Sequence, residues 1–359
     1  ALTSDNAKVD RKNYIWDVVR TSKRMKDIVK EHPKTRKQYL STMRACVENT
    51  PGVSFQGVGV RANKLDQEAY LGPFDEANKV KLRLLGPILE RVEHNGQSRN
   101  CLRKLGNEGV TKNGHSVILK LTYGKLNVML GGDLNTQSQD FLLQKYTTIK
   151  TKASSLEKKV YKMTSKGAAL TEAEEKQRDS SVAKLKSLIA EARQIFECDI
   201  TKACHHGSHH FSETFLQAVN PIATVISSGD EESHSHPRPD ALGAFGKFGR
   251  GNRPLIFSTE LARSTREFTP IIKYLDKLRD YQQQMRDAKT KAERKAITKK
   301  LEQHQDRNVA VYGMITVRAL DDHLIIAQKL EEPRGNGDKW DIYELTFNTH
   351  TNEYEYAGH

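Results

Sequence analysis

The chain has 359 residues, enough for one large domain or two ordinary ones. Its formal net charge of +13 favours a polyanionic partner such as nucleic acid, the alternative being a solvated surface of Lys/Glu helices. No apolar run is long enough to cross a bilayer, so we expect no membrane association. The four cysteines form no CxxC pair, which predicts reduced thiols and a cytoplasmic protein.

The first 80 residues are predicted to form helices and loops. Apolar residues recur at helix-like spacing within 12–48, and Pro33 divides this stretch into two helices. A weak alternation predicts a strand over 53–60. The N-terminus lacks the basic start and apolar core of a signal peptide, and it lacks Met. We therefore expect a processed product or a fragment.

A framework of β-strands is predicted to follow, over 81–335. Residues 80–87 alternate at period two, residues 116–130 predict a hairpin that turns near Gly124-Lys125, and further strands are predicted at 223–227, 255–258, 309–318 and 323–329. Residues 336–359 predict an aromatic β-hairpin extension.

Two polar helical stretches interrupt this framework, at about 140–196 and 269–307. The first carries an apolar stripe in each half and a break near 164–167, which predicts a helical hairpin. Either stretch could be an arm for nucleic acid or for another subunit. A solvated helix pair that packs only locally is the alternative.

Three strand ends carry groups that suit a metal ion. Asp133 follows an apolar strand and two glycines, and its carboxylate can bridge two ions. Four of the seven residues in Cys204–His210 are histidines, directly after a second strand. His236 precedes Pro237, which favours an extended backbone there. Carboxylate and imidazole are ligands of zinc and manganese, so this order of elements predicts a metal site.

Four segments carry a resemblance to a known family: Asn113–Leu121, Leu130–Leu134, Ile200–Ser208 and Ser235–Leu242. They resemble the metallo-β-lactamase superfamily, and within it the ComEC-like competence hydrolases. Those proteins show an N-x-x-S strand, a G-G-D strand end, a K-x-x-H-H-G-S turn and a G-H-P-x-P loop. The resemblance spans about Leu82 to Lys329. It implies an α/β fold, an αββα sandwich with helical insertions, and two divalent metal ions (zinc or manganese) that serve phosphodiester hydrolysis.

The resemblance also implies roles for single residues. Asp133 would be the carboxylate that bridges the metal ions, and either His205 or His206 would be the late metal-binding histidine. His236 would be catalytic and lie near the substrate phosphate. His115 is the weaker ligand candidate. The residues that would border the site and the nucleic acid are Asn113, Ser208 and His234.

One motif of the family is absent from the sequence. No segment matches H-x-H-x-D-H, and no two closely spaced histidines precede residue 205. The resemblance then implies the C-terminal half of a sandwich at 81–335, with residues 1–80 joining the two halves. A proteolytic fragment bound to its other half, a separate N-terminal chain, and a non-catalytic domain without the motif stay open.

These observations predict a metal-dependent nuclease that acts on DNA. Its dinuclear site would be completed by the N-terminal half of the same hydrolase, as a separate or cleaved polypeptide. A nuclease with little sequence preference endangers its own cell, and a site divided between two polypeptides, or cleaved on activation, would restrain it. We therefore expect a regulated effector in anti-phage defence, with an activating or regulatory subunit as a further partner. The alternatives are a hydrolase of small phosphodiesters and a non-catalytic scaffold that binds a partner.

Overall fold

The computed structural model describes residues 9–10, 13–16, 18–31, 38–94, 96–229, 235–259, 271–306, 313–320, 322–330, 333, 335, 337–356 and 358. The chain is a mixed α/β protein with several sheets. It divides into two compact units, Ala1–Asn220 and Pro221–His359. Over the described residues, every helix is too short or too polar to cross a lipid bilayer.

The first unit alternates between strands and helices. Its strands are β1 (Val9–Asp10), β2 (Tyr14–Ile15), β3 (Val60–Arg61), β4 (Val80–Gly86), β5 (Ile88–His94), β6 (Gln97–Arg103), β7 (Ile118–Tyr123), β8 (Leu126–Leu130) and β9 (Ile200–Lys202). Its helices are α1 (Ser22–Glu31), α2 (Gln38–Asn49), α3 (Glu108–Gly114), α4 (Thr136–Tyr146), α5 (Ala153–Thr164), α6 (Glu172–Phe196) and α7 (Glu213–Val219).

A sheet of order β1-β2-β6-β5-β3 begins this unit. The prediction of helix from residue 12 is wrong at its start, because Ile15 pairs with Leu102 in β6 and packs against Leu89. Burial in the sheet therefore accounts for an apolar residue that the pattern assigned to a helix. Of the strand expected over 53–60, only Val60 lies in a strand, where it begins β3.

The strands that carry the site pair in the order β9-β8-β7-β4 within the first unit. The hairpin of β7 and β8 turns at Gly124, which has a φ of +57°. β8 and β9 are parallel, with Leu130 beside Lys202. The carboxyl ends of these two strands therefore meet at the same edge of the sheet.

Helices α4 to α7 share one buried core with this sheet. Met129 of β8 belongs to the same cluster as Leu142, Leu188, Phe196 and Phe215 from the four-helix region. Capping boxes start two of the helices, with Asn135 before α4 and Thr171 before α6. The chain between β8 and β9 thus provides helices that pack beside the site.

The second unit contains β10 (Ala223–Ile226), α8 (Pro239–Phe248), β11 (Leu255–Ser258), α9 (Ile271–Asp287), α10 (Lys291–Asp306), β12 (Ile315–Leu320), β13 (His323–Lys329), β14 (Trp340–Asn348) and β15 (Glu353–Tyr356). β10 and β11 are parallel, and β12 to β15 form an antiparallel sheet in chain order. β14 pairs with both β13 and β15, so the C-terminal hairpin continues this sheet. Residues 309–312 of the strand predicted over 309–318 lie outside the described residues.

Candidate metal centre

Asp133 is positioned by a tight turn after β8. Gly132 has a φ of +57°, and a Cβ on it would lie 2.5 Å from the Cβ of Ser116. The hydroxyl of Ser116 accepts a hydrogen bond from the backbone N–H of Asp133 at 3.0 Å. The same hydroxyl donates to the carbonyl oxygen of Asn113 at 2.8 Å. One serine therefore joins the Gly-Gly-Asp turn to the C-terminal end of α3.

The two adjacent histidines follow β9 in an unusual backbone conformation. His205, His206 and Gly207 all have positive φ, at 50°, 55° and 77°. Residues other than glycine rarely adopt this left-handed backbone region, and those that do concentrate at functional sites. The conformation directs two consecutive imidazoles out of one short turn.

The two turns are bound to each other through a single carbonyl group. The carbonyl oxygen of Gly132 accepts a hydrogen bond from the backbone N–H of His205 at 3.0 Å. It also accepts one from the ammonium group of Lys202 at 3.2 Å, which donates in addition to the carbonyl of Ala203 at 3.1 Å. The strand ends thus form one rigid assembly.

The side chains from these turns meet in pairs. The Nε2 atom of His206 lies 3.4 Å from Oδ1 of Asp133, and both side chains keep more than a third of their surface exposed. The Nε2 atom of His205 lies 3.4 Å from Nδ2 of Asn113. The structure therefore brings four predicted site residues together, and it pairs His206 rather than His205 with the carboxylate.

The spacing between His206 and Asp133 suits two ligands of one ion. At 3.4 Å it exceeds the 2.7–3.2 Å of a normal hydrogen bond to oxygen. Donor atoms about 2.0–2.1 Å from a tetrahedral zinc ion lie about 3.3–3.4 Å from each other. The donor types and their separation both fit a zinc ion.

The described residues alone do not provide a complete donor set. Throughout the described parts of the chain, no group of three or more His, Cys, Asp or Glu side chains is arranged to hold a metal ion. A catalytic zinc site needs about three protein ligands. Two donors, Asp133 and His206, would make half of such a site.

Cys204 lies beside the site but packs as a neutral thiol. Burial, with a smaller contribution from the charge of Asp133, raises the pKa of this thiol to about 12. A Cβ on Gly131 would lie 2.6 Å from its sulfur atom, so the thiol fills the space under the turn. Metal ligation requires the thiolate, which this setting disfavours.

His115 and Ser208 serve the local structure. The Nε2 atom of His115 lies 2.7 Å from the carbonyl oxygen of Arg103, and burial lowers the pKa of this imidazole. Ser208 is buried, and its backbone N–H donates to the carbonyl of His205 at 2.9 Å. Ser208 therefore stabilises the backbone of the histidine turn.

The end of the histidine run lies at the surface. His209 and His210 are exposed, and their ring centroids lie 3.9 Å apart. Partial burial, followed by the neighbouring His209, lowers the pKa of His210. These two side chains offer matched controls for the ligand candidates.

The third predicted element belongs to the second unit. His236 is buried between the end of β10 and the start of α8, and its carbonyl oxygen accepts a hydrogen bond from the hydroxyl of Ser228 at 2.7 Å. Ser235, directly before it, has a φ of +54°. His234 lies outside the described residues.

Sequence reasoning gave no role to Lys202 or Ser116. Both belong to the motifs that carry the resemblance, as the Lys of K-x-x-H-H-G-S and the Ser of N-x-x-S. Their positions in these motifs, Lys202 three residues before His205 and Ser116 three residues after Asn113, were the available signal. The structure shows that each holds the backbone beside such a ligand.

Comparison of the chain with known proteins found no match to any protein-family model, curated protein or solved structure. The family resemblance therefore rests on the four sequence segments and stays a prediction.

Proposed function

We propose that this chain is part of a metal-dependent phosphodiester hydrolase, a nuclease that acts on DNA. The observation that carries the proposal is the pair of Asp133 and His206, 3.4 Å apart where the parallel strands β8 and β9 end. Supporting it are the left-handed backbone at His205 and His206 and the hydrogen bonds that join the two turns. The chain is a mixed α/β protein with several sheets, and we propose for it the αββα sandwich that the resemblance implies.

Asp133 and His206 would hold one metal ion together, and the second carboxylate oxygen of Asp133 would reach a second ion. The remaining ligands would come from a polypeptide segment outside the described residues, the N-terminal half of the hydrolase. Bound zinc or manganese supplies a hydroxide at neutral pH and stabilises charge on phosphoryl oxygens. Because the described residues provide two donors, we expect no DNA cleavage by this chain alone.

The other residues of the site would orient the ligands. Nδ2 of Asn113, an N–H donor, faces the ring nitrogen of His205, which then acts as acceptor with its proton on Nδ1. Ser116 and Lys202 hold the backbone on either side of Asp133. His236 stays the proposed contact to the substrate phosphate. The net charge of +13 supports a nucleic-acid substrate over a small phosphodiester.

Metal titration of the purified chain tests the half-site without any requirement for activity. We expect zinc to bind, measured calorimetrically, with an affinity that falls at least tenfold in Asp133→Asn and in His206→Gln. The controls His209→Gln and His210→Gln remove imidazoles from the same run and should leave the affinity within twofold. Equal losses in all four variants would contradict the assignment, because they would indicate general binding by surface histidines.

A non-catalytic scaffold is the second candidate, and the incomplete donor set favours it. The discriminating measurement is the metal content of the chain co-purified with its N-terminal half. A hydrolase predicts close to two metal ions per complex, and Asp133→Asn should abolish cleavage while DNA binding persists. A metal-free complex that still assembles would support the scaffold.

A further inference from the structure

The outward face of α5 is a run of cations without acids. Lys158, Lys159 and Lys162 are exposed, and Lys152 precedes the helix. Lys166, which follows the helix, pairs with Glu174 of α6 and does not belong to this face. Within the described part of the chain, no ion pair or side-chain hydrogen bond involves the ammonium groups of Lys158, Lys159 or Lys162. Four residues of helix rise about 6 Å, so Lys158 and Lys162 lie one turn apart on the same side.

The one acid of α5 points away from this face. The carboxylate of Glu157 accepts hydrogen bonds from the hydroxyl of Ser212 at 2.7 Å and from the backbone N–H of Thr214 at 2.8 Å. Its charge is therefore committed to the N-terminus of α7. The opposite side of α5 is apolar, with Leu156 and Met163 buried.

The polar helices α6 and α9 do not share this property. On α6 the lysines and arginines alternate with acids, and Lys176 pairs with Glu172 at 2.6 Å. On α9 Arg279 lies 3.3 Å from Asp276. Such faces present mixed charge, whereas the outer face of α5 presents one sign.

An aromatic ring stands on the same surface. The side chain of Tyr161 is 78% exposed, three residues after Lys158 and next to Lys162. An exposed ring among lysines combines a stacking platform for a base with cations for the phosphates. Paired bases in a duplex cover their faces, so such a ring favours unpaired bases. No exposed aliphatic side chain accompanies Tyr161 on α5, which argues against a membrane surface.

We propose that the outer face of α5, formed by Lys158, Lys159, Tyr161 and Lys162, binds single-stranded nucleic acid by base stacking on Tyr161 and phosphate contacts to the three lysines. This inference deepens the proposed function, because it names the form of nucleic acid that the hydrolase takes. The helix would hold the strand beside the domain that carries the half-site.

The test is binding of a fluorescein-labelled dT20 oligonucleotide and of a 20-base-pair duplex to the whole chain, measured by anisotropy in EDTA over a range of salt concentrations. Tyr161→Ala should weaken dT20 binding about 5- to 150-fold, the range of one stacked base. Tyr161→Phe keeps the ring and should stay within twofold. Duplex binding should change less than twofold in both variants.

The lysines are tested by a matched pair of triple variants. Replacing Lys158, Lys159 and Lys162 by Gln should lower the slope of log affinity against log salt by about 2, since each contact to a single strand contributes about 0.7. The control replaces the same number of charges on α6, namely Lys176, Lys184 and Lys186. Its slope should change by less than 1.

Three outcomes would overturn the inference. Equal effects of the α5 and α6 triples would show that net charge alone drives binding. An unchanged dT20 affinity in Tyr161→Ala would rule out base stacking on Tyr161. If the α5 variants lost only duplex binding, the face would be assigned to duplex DNA. Asp133→Asn should bind dT20 normally, so failure of the α5 surface and failure of the metal site are separate results.

Discussion

The clearest quantitative prediction concerns the turn that positions Asp133. Gly132 and Gly124 both have a φ of +57°, but their surroundings differ. A Cβ on Gly132 would lie 2.5 Å from the Cβ of Ser116, whereas a Cβ on Gly124 would meet nothing within 4 Å. Replacing each by Ala therefore imposes the same backbone strain and differs only in the contact.

The magnitudes follow from these two contributions. Placing Ala in the left-handed region costs about 1–2 kcal/mol at either position. Overpacking against Ser116 adds about 1–3 kcal/mol for Gly132→Ala. Gly132→Ala should thus lower the free energy of unfolding by about 2–5 kcal/mol, and Gly124→Ala by about 1–2 kcal/mol. Because Ser116 accepts the N–H of Asp133, the change also displaces the carboxylate, and zinc affinity should fall.

Urea denaturation followed by tryptophan fluorescence measures the difference. The chain has two tryptophans, Trp16 and Trp340, one in each unit. In a Trp340→Phe background the signal reports the unit that contains Gly132, which avoids treating two units as one transition. Equal destabilisation by Gly132→Ala and Gly124→Ala would refute the argument that Ser116 closes the turn.

Three further predictions concern the buried polar groups of the first unit. The lowered pKa of His115 keeps its imidazole neutral in the fold, so the free energy of unfolding should decline as pH falls below about 6.5, where the unfolded chain takes up a proton. His115→Gln should flatten the dependence of the urea midpoint on pH between pH 7.5 and 5.5. An unchanged dependence of the midpoint on pH would contradict this prediction. Burial opposes ionisation of Glu90, but hydrogen bonds from Arg103 and Lys145 outweigh it and lower its pKa, so its contribution is lost as pH falls through that depressed pKa. Glu90→Gln should cost about 1.5–3 kcal/mol in urea at pH 7, with less acid sensitivity than the parent. Glu157→Ala should cost about 1–2 kcal/mol and speed amide exchange at the start of α7, where unchanged exchange would remove its capping role.

Local patterns predicted the elements whose apolar residues repeat at one period. The hairpin of β7 and β8 and the helices α5 and α6 lie where alternation and the apolar stripes indicate, because each buries one face against the same core. The sequence did not predict β5 and β6, because both strands are polar over most of their length: β5 contains Glu-Arg-Val-Glu-His and β6 contains Gln-Ser-Arg-Asn. Their strand conformation depends on pairing with each other and with β2 and β3, which are distant in sequence.

The candidate site was likewise predictable from the sequence only in part. The sequence places Asp133 and the histidine pair directly after apolar strands, and strand ends of this kind predict a shared edge. Which histidine faces the carboxylate depends on positive φ at both His205 and His206. Residue type alone does not determine that conformation, so the sequence could not decide which of the two histidines is the metal ligand. The hydrogen bonds to the Gly132 carbonyl hold the backbone in which His206 faces Asp133.

The bonds between the two turns bear on how a complete site would assemble. Lys202 and the N–H of His205 share the carbonyl oxygen of Gly132, so Asp133 and His206 are held together before any partner arrives. Under the proposed function, a partner polypeptide then adds ligands to a preformed pair, and little ordering entropy opposes its binding. A metal ion shared by the two chains strengthens their association by the same factor by which the partner strengthens metal binding. Regulation of such a hydrolase could therefore act on assembly or on metal supply, with one energetic coupling between them.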